Sequence, residues 1–118
     1  MLASGTYTPT LFNQTNVSAS TPQICQWLQV GFVVTVSGYL NVDPLAAVFT
    51  ELGIELPVPS SFTGNSQCGG VANGAITISG GVTAAIYADV INNRATMAWN
   101  PVSLLNTSMY FTFTYLIN

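Results

Sequence analysis

The sequence predicts an all-β domain: one antiparallel β-sandwich over residues 1–118, jelly-roll-like, with about eight strands. Three observations carry that expectation. The apolar residues repeat with a period of two, turn-forming residues recur at short intervals, and only Pro44–Phe49 is suited to a turn of helix.

The elements follow in chain order. The pattern places strands at 6–12, 23–30, 32–42, 50–57, 66–72, 82–89, 94–99 and 108–117. The third rests on Val34, Val36, Leu40 and Val42 alternating with Thr35, Ser37, Tyr39 and Asn41. In the fourth, Leu52, Ile54, Leu56 and Val58 alternate with Glu51, Gly53, Glu55 and Pro57, so both glutamates face outward. The last sets Met109, Phe111, Phe113 and Tyr115 on one face and Tyr110, Thr112 and Thr114 on the other. Asn16–Pro22, Asp43-Pro44, Pro57–Asn65, Gly69-Gly70, Gly80-Gly81, Asn92-Asn93 and Asn100-Pro101 read as turns. The Val30-Gly31 and Asn92-Asn93 pairs suit tight hairpins, which need residues that tolerate positive φ. The aromatic last strand would aggregate as a free edge, so a central place in the sheet is expected for it, with a subunit interface as a further use.

Only five of the 118 residues are charged: Asp43, Glu51, Glu55, Asp89 and Arg94. An ordinary domain carries about a quarter. Thr, Ser, Asn, Gln and Gly must therefore keep the surface wet, and little like-charge repulsion holds copies apart. The net charge of −3 with no basic patch makes nucleic acid a poor partner. No His is present, which removes the commonest metal ligand and neutral-pH base, so no metal, cofactor or enzymatic activity is expected. Cys25 and Cys68 read as buried thiols, with a single disulfide as the alternative. The first residues, Met1 to Gly5, carry no basic segment, so no signal peptide is expected there. No run reaches the roughly 18 apolar residues of a membrane-spanning helix. An outer-membrane barrel would share the alternation and low charge, and the short strands disfavour it.

The titratable groups offer little chemistry. Glu51 and Glu55 lie four residues apart on one strand face, about 13 Å at ~3.3 Å per residue. That is too far for a glycosidase pair, which needs roughly 5–9.5 Å. Asp89 and Arg94 flank the Asn92-Asn93 turn and are expected to form an ion pair, within one subunit or between two. An exposed aromatic ring beside an amide suits a neutral-sugar site. Trp99 with Asn100, and Tyr39 with Asn41, are the candidate ligand-binding pairs.

Several stretches together resemble a known family. These are Ser4-Gly5-Thr6-Tyr7-Thr8-Pro9-Thr10-Leu11, Cys25-Gln26-Trp27-Leu28-Gln29-Val30-Gly31, Val33-Val34-Thr35-Val36-Ser37-Gly38, Leu52-Gly53-Ile54-Glu55-Leu56-Pro57, Gln67-Cys68-Gly69-Gly70 and the closing Met109–Tyr115 run. In order and spacing they resemble the small C-terminal β-sandwich domain of tailed-bacteriophage tail-fibre and head-fibre structural proteins. The resemblance implies a β-sandwich, homotrimeric assembly, other virion proteins as partners and an extracellular virion location. Where that family often has a basic residue before the Val-Gly turn, this chain has Gln29. The expected function is host-surface attachment, with a neutral glycan as the ligand. A capsid-decoration or fibre-capping protein without receptor binding is the alternative.

Overall fold

The structure, a computed structural model, describes residues 1–74 and 82–118. The described residues are all-β, with no α-helix among them and a single 3-10 turn at Asn65–Gln67. Ten strands form: β1 (Leu2–Tyr7), β2 (Leu11–Thr15), β3 (Val17–Pro22), β4 (Cys25–Val30), β5 (Val33–Pro44), β6 (Thr50–Ile54), β7 (Cys68–Gly74), β8 (Thr83–Asp89), β9 (Arg94–Trp99) and β10 (Thr107–Leu116). The Gly80-Gly81 turn expected from the sequence lies outside the described residues.

Every pairing is antiparallel, in the order β1-β4-β5-β10-β7-β8-β9-β6-β2. The long strand β5 serves two partners on one side. Its first half pairs with β4 and its second half with β3. The sheet curls until β2 and β3 lie side by side, where the Ser20 hydroxyl donates to Asn13 Oδ1 at 2.6 Å. A second tie comes from the β1–β2 connection. The Tyr7 hydroxyl donates to the Glu55 carbonyl at 2.9 Å, and the Thr10 amide donates to the Glu55 carboxylate at 2.9 Å.

One face of this sheet makes the core. Val34, Val36, Leu40 and Val42 meet Met109, Phe111, Phe113 and Tyr115 across the β5–β10 pair, with Leu52, Ile54, Ile86, Met97 and Trp99 from the other half. As expected, the closing strand is central, Phe111 and Phe113 point inward, and Thr112 and Thr114 are exposed. The two cysteines are free and buried. The Val30-Gly31 turn also holds: Gly31 and Phe32 alone connect β4 to β5, with Gly31 at φ 62°.

Five expectations need correction. The Asp43-Pro44 and Gly69-Gly70 pairs, read as turns, lie inside β5 and β7, where pairing with β3 and with β10 and β8 holds them extended. A single strand at 6–12 gives way to β1 and β2, which start and stop on either side of Pro9, where no amide hydrogen is available for a ladder. The stretch Asn16–Pro22, read as a turn, is strand β3. Its Ser-Ala-Ser-Thr run lacks alternation, and pairing with β5 overrides that weak propensity. Pro44–Phe49 forms no helical turn. Asn16, at φ 58°, takes its donors instead: the Asn16 carbonyl accepts from the Leu45 amide and Asn16 Oδ1 from the Ala46 amide. Asn16 Nδ2 in turn donates to the Ala46 carbonyl and to Thr50 Oγ1, pinning the β5–β6 loop as an irregular bend.

Candidate functional site

The curled sheet turns two outer surfaces to solvent, and side-chain alternation decides what each displays. On β4, β5, β10 and β7 the outward positions line up across the strands. Gln26 faces Ser37, Ser37 faces Thr112 and Thr112 faces Val71. In the next row Tyr39 faces Tyr110 and Tyr110 faces Asn73. The two tyrosine rings stack with centroids 5.2 Å apart and planes 22° from parallel. Tyr110 is 55% exposed. These residues, with Ile24 at the rim, line an open depression of about 570 Å³ that contains no charged side chain. A flat pair of rings bordered by two amides and two hydroxyls can stack on an apolar ligand face and exchange neutral hydrogen bonds with its edge.

Of the residues expected there, Tyr39 is in the depression and Asn41 stands two positions further along the same strand face. The Asn41 amide is already engaged. It accepts from Gln23 Nε2 at 2.9 Å and donates to Ser108 Oγ at 3.0 Å and Asn106 Oδ1 at 3.2 Å, so it braces the rim. Trp99 is a core residue at 4% exposure, which corrects the expectation that its ring is offered to a ligand. The cause is the register of β9, where Ala95, Met97 and Trp99 share the inward face. Asn100 is exposed just past that strand and is not part of the depression. Tyr110, Gln26 and Asn73 were not anticipated. Inward Phe111 and Phe113 already imply an outward Tyr110, but its pairing with Tyr39 depends on a register between strands remote in sequence.

The outer surface of β8, β9, β6 and β2 carries most of the charge. Asp89 and Arg94 are paired residues closing the β8–β9 hairpin, and their side chains meet as expected, with Arg94 Nε 3.3 Å from Asp89 Oδ2. Ile91 N, Asn92 N and Asn92 Nδ2 also donate to the Asp89 carboxylate. Burial raises the Asp89 pKa, but the Asn92 and Ile91 hydrogen bonds and the Arg94 charge outweigh it and hold the group below its ordinary value. The guanidinium lies 4.2 Å over the Phe12 ring and donates to Gln14 Oε1 at 3.3 Å. It also fills the space above Gly53, where a Cβ would come within 2.6 Å of Arg94 Nε. Nearby, Tyr87 and Thr15 donate to the two oxygens of the Glu51 carboxylate at 3.1 and 2.9 Å. Burial and this bond raise the Tyr87 pKa.

Neither thiol is poised as a nucleophile. Burial pushes Cys68 up to about 12 and raises Cys25, against a backbone hydrogen bond from Tyr39 that lowers it. Among the described residues no group of three or more His, Cys, Asp or Glu side chains is arranged to hold a metal ion, and no helix is long and apolar enough to cross a membrane. Comparison with protein-family models, curated proteins and solved structures finds no match.

Proposed function

We propose that this chain is a non-enzymatic module of a bacteriophage virion. It acts as the trimeric tip domain of a tail or head fibre and attaches to an uncharged glycan on the host surface. In this reading the curled sheet is a jelly-roll-like sandwich whose two halves are its layers. The observation that carries the reading is the stacked Tyr39–Tyr110 pair in a charge-free depression flanked by Gln26, Ser37, Asn73 and Thr112. The sequence resemblance to phage fibre domains supplies the biological setting.

The chemistry is weak by design of its parts. The C–H face of a sugar ring stacks on a tyrosine, and amides and hydroxyls read its hydroxyls at about 1 kcal/mol per net hydrogen bond. An open depression adds little desolvation. Useful affinity then comes from several copies engaging at once, which multiplies binding by roughly 10²–10⁴. Beads that display the chain are expected to adsorb to susceptible bacteria where the free chain does not, and Tyr39→Ala or Tyr110→Ala beads are expected to stay in the supernatant. Wild-type beads that adsorb no better than bare beads on any host would reject attachment. The capsid-decoration or fibre-cap reading, which needs no receptor, would then stand in its place.

A further inference from the structure

The β4–β5 hairpin turns through Gly31 and Phe32 alone. Two-residue turns that begin with Gly at positive φ commonly follow it with Asn, Asp or Ser. Here the second residue is Phe32, 72% exposed at the tip. The register extends that apolar tip into a band. Leu2 pairs with Val30, Val30 with Val33 and Val33 with Leu116, one row across four strands on the outward face. Leu28 stands two residues behind Val30 on the same face, and all six side chains are exposed. Cross-strand neighbours on one face lie about 5 Å apart, so the row is unbroken. The next row, Ser4, Leu28, Thr35, Thr114 and Gly69, is also uncharged. The edge strands β2 and β3 each carry a register shift that disrupts further pairing, whereas β1 is regular and has neither charge nor proline.

We propose that this end of β1, β4, β5 and β10 is a self-association surface whose occupant is the same end of a second copy of this chain. It refines the assembly part of the function proposed above and is separable from the glycan-binding part. Six side chains this exposed offer roughly 300–400 Å² of apolar surface, at about 100 Å² for a fully bare one. A standard interface covers about 800 Å² per partner, a little over half of it apolar, so the band supplies most of that apolar part, with Ser4, Thr35 and Thr114 beginning its polar rim. Charge points to the same occupant. Glu51, Asp89 and Arg94 lie on the outer surface of the other half of the sheet, so two copies meeting here bury no charged side chain of the band. Because every copy carries the same band, contact about a rotation axis covers all of them at once.

Sedimentation velocity of the full chain at micromolar concentration tests this, comparing wild type with Phe32→Asn and with Val30→Thr/Val33→Thr. Asn suits the turn and Thr suits a strand, so both variants keep the fold, which circular dichroism verifies. The wild type is expected to associate, and each variant to raise the dissociation constant at least about 30-fold, the effect of losing an interface anchor. Tyr110→Thr, outside the band, is expected to leave association unchanged. If the wild type associates and the band variants associate equally well, the location is wrong while the assembly reading survives. A monomeric wild type overturns both. A monomer that floats with neutral phosphatidylcholine vesicles, and loses flotation on Phe32→Asn, assigns the surface to lipid and overturns the proposal.

Discussion

The outer surface of β4, β5, β10 and β7 and that of β8, β9, β6 and β2 are made of strands in the same antiparallel geometry, yet they use polar groups in opposite ways. On the second, the polar groups are turned upon one another. Asp89 is shared between Arg94 and its own hairpin loop, Arg94 lies flat between Phe12 and Gly53, and Glu51 is held by Tyr87 and Thr15. On the first, Gln26, Ser37, Asn73 and Thr112 border an open depression floored by two stacked rings. In a chain with five charges, three of them brace four strands against each other. On the first surface Asn41 is engaged by its neighbours and Asn73 Oδ1 accepts from Thr83, while Gln26, Ser37 and Thr112 face the open depression.

The contrast can be broken at several depths. The largest effect should come from beneath the neutral surface. Phe113→Ala removes a fully buried ring and is expected to cost about 3–5 kcal/mol in chemical denaturation. Thr112→Ala, one residue away on the outer face, should stay within about 0.5 kcal/mol. A reversal of those two costs would mean that the register of β10 is off by one residue and every side chain on the wrong face.

On the charged surface, Arg94→Met keeps an apolar stem over Phe12 but deletes the charge. It is expected to lower stability by about 1–3 kcal/mol, the worth of hydrogen bonds to charged groups. The same change should leave adsorption by displayed copies intact, because Arg94 braces strands rather than meeting a ligand. On the neutral surface the pattern inverts. Tyr110→Ala should cost only about 0.5–1.5 kcal/mol, the worth of an aromatic pair. It should nonetheless remove adsorption.

The smallest effect is a predicted flatness. Between about pH 6 and pH 8 the chain has no side chain with an ordinary pKa to titrate, so its melting temperature should hold there. Salt should matter as little. Outside that window the signs differ. The Asp89 pKa is lowered by folding, so its contribution is complete above the unfolded value and lost as pH falls through the folded one. Cys68 is raised from 9.0 to about 12 by burial, and Tyr115 from 10.0 to about 12, chiefly by burial. Their contributions are complete below the unfolded values and lost as pH rises through that range. Melting curves against pH should therefore show a plateau with an acid and an alkaline limb. A slope across the plateau would reveal a coupled group not accounted for.

How much of this was legible beforehand depended on the kind of signal. Alternation located β5 and β10 and their inward faces, because burial on one side of a strand imposes the period directly. The Gly31 turn and the Asp89–Arg94 pair were local and could be read from adjacent residues. Strand β3 could not, since Ser18 to Thr21 carry no apolar rhythm and owe their conformation to β5. The Pro44–Phe49 loop was likewise set by a residue far upstream, Asn16. At the candidate site Tyr39 was legible as an outward aromatic residue, but its partner Tyr110 was visible only once β5 and β10 were in register. Trp99 misled because an aromatic residue beside an amide looks like a sugar platform, and only its register in β9 shows that the ring points inward.

The most direct test of the central claim is an amide-resolved NMR titration of the chain with neutral oligosaccharides from the envelopes of candidate hosts. At least one sugar is expected to shift the resonances of Gln26, Ser37, Tyr39, Asn73, Tyr110 and Thr112 while those of Phe12, Asn93 and Arg94 stay still. Shifts centred on Phe12, Asn93 and Arg94, or none with any sugar, would contradict that claim.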